Sequence, residues 1–209
     1  RLPDFMAMAF RKATTGGPGP VFLEMPLDIL MSMERSEDLH YPEHYRTEHV
    51  AGGDPAAVQA AADILSNAER PVAVVGTQWW FSPYRDAISS FLGAYDLPVF
   101  LNGGARGAIR PDDPRFFRLC RNKALGNADV IVIFGTPWDF RLNYGNDIPA
   151  GTKVIHIDLD PDVIGHNRGA NVGIVGDTGL VMRQLSEAGR RTPNIWVSVV
   201  REYEQARSD

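Results

Sequence analysis

The sequence predicts a doubly wound α/β fold: a mostly parallel sheet of about six strands with helices on both faces. Three observations predict it. From Asp54 onward, short apolar runs alternate with amphipathic stretches of helical period. The runs are continuously apolar, as strands of a parallel sheet buried on both faces demand. Most of them end at a glycine or an asparagine–glycine pair, where a chain turns out of a sheet.

Taken in order, Pro3 to Ala13 places Phe5, Met6, Ala9 and Phe10 at helical spacing. Gly16-Gly17-Pro18-Gly19-Pro20 stops that helix, Val21 to Met25 reads as a short strand, and Pro26 ends it. One helix and one strand bury no core of their own. They are expected to dock on something larger, as the end (residues 1–30) of another domain. Residues 31–53 are polar and irregular and read as a surface linker. Its His40, His44 and His49 fit no metal-ligand spacing and read as solvated loop residues.

Asp54-Pro55 then opens a helix with an acidic cap and a first-turn proline, and Val58, Ala61, Ala62 and Leu65 form its inward stripe. Strands are predicted at Pro71–Val75, Pro98–Leu101, Asp129–Phe134, Lys153–Asp158 and Val172–Val175. Helices are predicted at Asp86–Tyr95, Arg115–Leu125, Thr178–Ala188 and Asn194–Ala206. The α/β domain is thus expected over residues 54–190, with residues 191–209 leading onward from it.

Composition narrows the function. With 44% hydrophobic and 22% charged residues, the chain has the make-up of an ordinary globular protein. A net charge of -5 spread along the sequence argues against nucleic acid and anionic membrane as partners. No apolar run approaches the ~20 residues needed to span a bilayer. The first residues carry no signal-peptide pattern, so a cytoplasmic location is expected. A chain that opens on Arg1 reads as part of something longer. The single cysteine, Cys120, can form no intrachain disulfide or cysteine metal cluster, and reads as a small buried apolar residue.

In open parallel sheets, ligands bind beyond the carboxyl ends of the strands. Those ends here are Gly76-Thr77-Gln78, Asn102-Gly103-Gly104-Ala105-Arg106-Gly107, Gly135-Thr136-Pro137-Trp138-Asp139-Phe140-Arg141, Asp158-Leu159-Asp160 and Gly176-Asp177. Glycine admits a ligand close to the backbone, and Arg106 and Arg141 suit phosphate. Asp158 or Asp160 suits a ribose hydroxyl or an amino group. Together they describe a dinucleotide or nucleotide groove. Each acid also has a plainer reading: Asp158 and Asp160 as turn caps, Asp177 as a helix cap, and Asp139 with Arg141 as a local ion pair. His156 falls mid-strand and reads as a core residue. No Ser-His-Asp or Cys-His set is visible.

Five stretches carry a family resemblance: "GPVFLEMPLDIL" (Gly19 to Leu30), "RPVAVVG" (Arg70 to Gly76), "LPVFLNGGARGAIRPDDP" (Leu97 to Pro114), "NADVIVIFGTPWDFRLNYG" (Asn127 to Gly145) and "KVIHIDLDPDVIGHN" (Lys153 to Asn167). The first resembles the end of the pyrimidine-binding domain of thiamine-diphosphate enzymes, and the others the Rossmann-like central domain of that family. The resemblance is closest to the acetolactate synthases and to the oxalyl-CoA decarboxylase/2-hydroxyacyl-CoA lyase branch. It implies a parent that uses thiamine diphosphate and Mg2+, bound outside this chain, on a 2-keto acid or acyl-CoA substrate. It also implies a homodimer or homotetramer and other domains of the same polypeptide as partners. The GDG…N motif and the activating glutamate of the family are not in this sequence, so the chain alone is expected to be catalytically incomplete.

In that family the central domain holds FAD in the acetolactate synthases and ADP in oxalyl-CoA decarboxylase. The flavin enzymes' GxRFDDR resembles Gly135 to Arg141, with Gly135, Asp139 and Arg141 matching as adenosine and diphosphate contacts. Pro137 stands at that motif's arginine and Phe140 at an aspartate. The resemblance also implies cofactor contacts at Asp158, Asp177, Asn102 and Gly103. "FFRLCRNKAL" resembles the "AARSxAL" of the CoA-linked branch, with Arg121 at its arginine. The alternative is a scaffold and dimer spacer whose nucleotide groove stays empty.

Overall fold

The computed structural model of the chain describes residues 1–207. Two compact units divide the chain, Arg1–Val50 and the residues from Ala51 onward. In the first, α1 (Leu2–Thr14) has proline in its opening turn, Asp4 near its N-terminus and Arg11 and Lys12 near its end, a charge order that suits the helix dipole. A single helical turn, α2 (Leu27–Leu30), and a 3-10 turn at Ser36–Asp38 follow. The predicted strand at Val21–Met25 is not a strand: its backbone has no ladder partner, and Phe22 is 87% exposed. An extended segment becomes a strand only where a neighbour satisfies its N–H and C=O groups.

The second unit opens with α3 (Pro55–Ser66), whose N-terminus is capped by Asp54; its carboxylate accepts the Ala56 and Ala57 N–H groups, both at 3.0 Å. Val58, Ala61, Ala62 and Leu65 are its buried stripe, as the periodicity predicts. In sequence order there follow β1 (Pro71–Val75), α4 (Gln78–Phe81), α5 (Ala87–Tyr95), β2 (Val99–Leu101), β3 (Phe116–Phe117), α6 (Arg121–Asn127), β4 (Val130–Phe134), β5 (Lys153–Asp158), β6 (Val172–Val175), α7 (Thr178–Ala188) and α8 (Trp196–Gln205).

The helix predicted over Arg115–Leu125 is half wrong. Phe116 and Phe117 instead pair in parallel with Val99 and Phe100, and the helix begins only at Arg121. The intervening N–H groups of Arg118, Leu119 and Cys120, which a helix would need for itself, all donate to the Glu204 carboxylate at 2.9 Å. The predicted last helix starts two residues late, at Trp196, because the Asn194 side chain accepts the Trp196 N–H at 2.9 Å and caps it. The turn of helix at Gln78–Phe81 was not predicted.

The six strands run in the order β3-β2-β1-β4-β5-β6, and every pair is parallel. Side chains alternate across the sheet. Ala73, Val75, Val132, Phe134, Ile155 and Ile157 pack against α3, α5 and α7 on one face. Val72, Val74, Ile131, Ile133 and Val154 pack against α6 and α8 on the other. Cys120 is buried in that second layer, and burial beside Glu204 pushes its thiol up to about 12. Among the described residues no helix is long and apolar enough to cross a membrane.

Candidate functional site

The strand order places the chain's reversal between β1 and β4, since β2 and β3 extend one way from β1 and β4 to β6 the other. Loops leaving neighbouring strands toward opposite directions open a crevice at this point. Val75 stands beside Phe134 at the ends of the two strands. The crevice floor is held tightly. The Gly76 N–H donates to Phe134 O at 2.7 Å and the Gly135 N–H to Ile157 O at 2.8 Å. A Cβ on Gly76 would lie 2.4 Å from the Gly135 carbonyl oxygen, so side chains are excluded there. Gly135 takes φ +59°, and its own Cβ would lie 2.4 Å from the Gln78 Cβ. These glycines are required by the approach of the two loops to each other. Gly103 closes the neighbouring corner on Thr77, whose Oγ1 accepts the Gly104 N–H at 3.1 Å. The Asn102 amide donates to Thr136 Oγ1 at 3.4 Å.

At the end of β5, Asp158 is 1% exposed. Its Oδ1 accepts the Gln78 amide at 2.7 Å and the Asp160 N–H at 2.8 Å. Its Oδ2 is buried and has no hydrogen-bond partner among the described residues. Gln78 completes a bridge from β1 to β5 by accepting the Leu159 N–H at 3.1 Å. Asp160 accepts the Asp162 N–H at 2.9 Å, the turn cap of the plainer reading. Asp177 caps α7 through the Leu180 N–H at 2.8 Å and also accepts the Ser82 hydroxyl at 2.6 Å. His156 shares the face of Asp158 and is fully buried, with neither ring nitrogen hydrogen-bonded. Burial lowers its pKa, against the raising effect of Asp158 and the Thr136 backbone, so the ring is neutral.

Beyond β4, Asp139 accepts the Arg141 N–H at 2.9 Å, and its two oxygens take the Arg141 fork at 3.1, 3.0 and 2.5 Å. Arg141 holds the Asp139 carboxyl below the usual carboxylate range, and Asp139 raises the guanidinium in return. Phe140 next to them is 74% exposed. Arg121, reaching across from the start of α6, donates to Arg141 O at 2.5 Å. Arg106 and Arg121 line a cavity of ≈ 360 Å³ beyond β2 and β3.

The structure thus gathers Gly76, Thr77, Asn102, Gly103, Gly135, Thr136, Asp158 and Leu159 at the crevice. Arg106, Arg121 and the Asp139–Arg141 pair lie along its flank, and Asp160 and Asp177 are engaged in local caps. Gln78 stood on the predicted rim without a role of its own; Ser82 and Arg118 are additions. Gln78 had a signal, two residues past a strand-ending glycine; Ser82 and Arg118 had none. Among the described residues no group of three or more His, Cys, Asp or Glu side chains is placed to hold a metal ion.

Residues 58–185 match the family described as thiamine pyrophosphate enzyme, central domain. The chain is 35% identical over 191 residues to a probable acetolactate synthase of Mycobacterium bovis, covering 90% of this chain and 34% of that protein. It is 29% identical to mouse (Mus musculus) 2-hydroxyacyl-CoA lyase 1, covering 92% and 33%, and 28% identical to Escherichia coli oxalyl-CoA decarboxylase, covering 96% and 37%. It therefore spans about a third of the length of these relatives. A crystal structure of benzoylformate decarboxylase from Polynucleobacter necessarius superposes with a TM-score of 0.71 at 21% identity, over 93% of this chain and 38% of that one, which shows the shared fold. An all-parallel sheet in this order, a closed glycine crevice and a family match across most of the α/β unit lead to one conclusion: the chain belongs to the thiamine pyrophosphate enzymes and carries their central domain.

Proposed function

We propose that the parent protein is a thiamine-diphosphate enzyme of the acetolactate synthase, 2-hydroxyacyl-CoA lyase or oxalyl-CoA decarboxylase type, acting on a 2-keto acid or acyl-CoA. In this reading the central domain binds an adenine nucleotide at the β1–β4 crevice. One observation carries the binding role: the buried Asp158 presents an acceptor oxygen that nothing among the described residues satisfies. A buried carboxylate oxygen without a donor is costly, and a ribose hydroxyl supplies the donor it lacks. Thiamine diphosphate would supply the carbanion chemistry of the whole enzyme. In this reading the residues of this chain bind and orient, and among the described residues no group of three or more His, Cys, Asp or Glu side chains is placed to hold a metal ion.

Of the two nucleotides found in the family, ADP fits the closed corner better than FAD. Thr77 packs directly onto Gly103, which with Asn102 aligns with the flavin-side loop in the resemblance. A second reading, an empty scaffold, draws on Arg141, whose fork is already taken by Asp139.

Calorimetric titration of ADP and FAD into the protein and into Asp158→Asn separates the readings. Asparagine can keep the Gln78 and Asp160 bonds while replacing the free acceptor with a donor. Saturable ADP binding that the substitution weakens about tenfold or more, with unchanged thermal stability, is expected. Binding of neither nucleotide supports the scaffold.

A further inference from the structure

The helix α8 buries Trp196 and Val200 and leaves a second apolar row outside. Ile195 at its N-cap, Val199 and Tyr203 follow one another at intervals of four, so they stand on successive turns of one side. Ile195 is 77% exposed. The row forms one wall of an open groove of ≈ 510 Å³, and Glu69 and Arg70, just before β1, form another. The groove thus lies at the amino end of the sheet, away from the β1–β4 crevice. Two bonds hold this wall beside the start of α8: Asn194 Nδ2 donates to Glu69 O at 2.8 Å, and the Trp196 indole to Pro71 O at 3.0 Å. Charge divides unevenly between the two sides. Arg70 donates its Nε–H to Asn127 O at 2.8 Å and meets the exposed Glu69 only at 3.5 Å, which leaves most of its fork open. Lys123 adds a second cation, 4.1 Å from the Tyr203 ring centre. On α8, Glu202 lies three residues beyond Val199, is exposed, and has no ion pair among the described residues.

We propose that a second copy of this chain docks in this groove, with α8 antiparallel to α8 across a two-fold axis at Val199. A two-fold axis makes a surface meet itself, so one patch must carry both the knob and its hole, and both charges of each pair. This patch does. Ile195 is the projecting knob, Val199 and Tyr203 line the hole, and Glu202 and Arg70 are the opposite charges. The register agrees with the charges. With Val199 on the axis, Glu202 stands about 4.5 Å along the helix from it, at about 1.5 Å per residue. In the opposed copy Trp196, beside which Arg70 is held, stands at the same height. By the same count, Ile195 of each copy lies over Tyr203 of the other. A pair of 10-residue helices covers less than the roughly 800 Å² per partner of a standard interface, so the contact is weak by itself and sensitive to salt.

Sedimentation equilibrium of the chain across a range of concentrations at low salt tests this. Ile195→Glu is the main variant, because so exposed a side chain can be changed without disturbing the fold. Glu202→Arg and Arg70→Glu, singly and together, form the second set. Phe22→Ser, which removes an 87% exposed ring from the Arg1–Val50 unit, is the control for association through that unit. The expected result is a reversible equilibrium between one chain and two, weakened about tenfold or more by Ile195→Glu and unchanged in Phe22→Ser. Each single charge reversal should weaken it about threefold or more, since it acts twice per dimer, and the double reversal should restore it. One chain at every concentration overturns the proposal, as does a two-chain species that Ile195→Glu leaves unchanged. Mild oxidation of Val199→Cys supplies a geometric check, because a residue on a two-fold axis meets its own copy. It should link two chains through that position, with Cys120 buried and inert. A two-chain species that does not cross-link there overturns the antiparallel pairing.

Discussion

His156 and Asp158 sit two residues apart on one strand face, both buried, yet the structure treats them oppositely. Asp158 is bonded on one oxygen and open on the other, while neither ring nitrogen of His156 has a hydrogen-bond partner among the described residues. The imidazole's pKa is lowered by burial, so it is neutral when folded but binds a proton readily once unfolded. A depressed pKa gives stability that is present above the unfolded value of about 6.5 and lost as pH falls below it. Stability measured by urea unfolding should therefore decline from pH 7 toward pH 5 by up to about 1.4 kcal/mol per pH unit from this group. His156→Phe should flatten that segment; an identical slope in the variant would refute the assignment. At this scale the sequence was partly legible. Local caps could be read, because Asp54, Asp160 and Asp177 bond to N–H groups two or three residues away. The open oxygen of Asp158 could not, because it depends on Gln78, 80 positions earlier in the chain.

At the scale of elements, the β3–α6 connection carries most of the disagreement with the sequence. Phe116 to Leu125 has helical spacing, but a glutamate from α8 captures three successive N–H groups and holds the loop open. A contact between residues more than 80 positions apart thus overrides local propensity. Glu204→Ala should leave those donors without their acceptor and destabilise the α/β unit by about 1–3 kcal/mol, read as a lower urea midpoint with an unchanged slope. Stability equal to that of the unsubstituted protein would mean the carboxylate is dispensable. The same loop buries Cys120, so the native thiol should resist a disulfide exchange reagent and react fully only in denaturant. Rapid reaction of the folded protein would place the loop elsewhere. By contrast, the strands β1, β4, β5 and β6 were legible almost to the residue, because continuous apolar runs ending at glycine have few other uses in a chain of this composition.

For the whole molecule, the alternation of strands and helices dictated the parallel sheet, but not the strand order. Order follows from which helix lies on which face, and only the packed layers show it. That order puts the reversal at β1 and β4, where Gly76 and Gly135 leave no room for side chains and Asp158 stands at one side. The central claim is that an adenine nucleotide lies over that reversal point with a hydroxyl on the free oxygen of Asp158. A crystal structure of the protein with saturating ADP tests it most directly. The account predicts density across the ends of β1 and β4 with a ribose hydroxyl within hydrogen-bond distance of Asp158 Oδ2. ADP bound elsewhere, or an unliganded crevice at saturation, would contradict it.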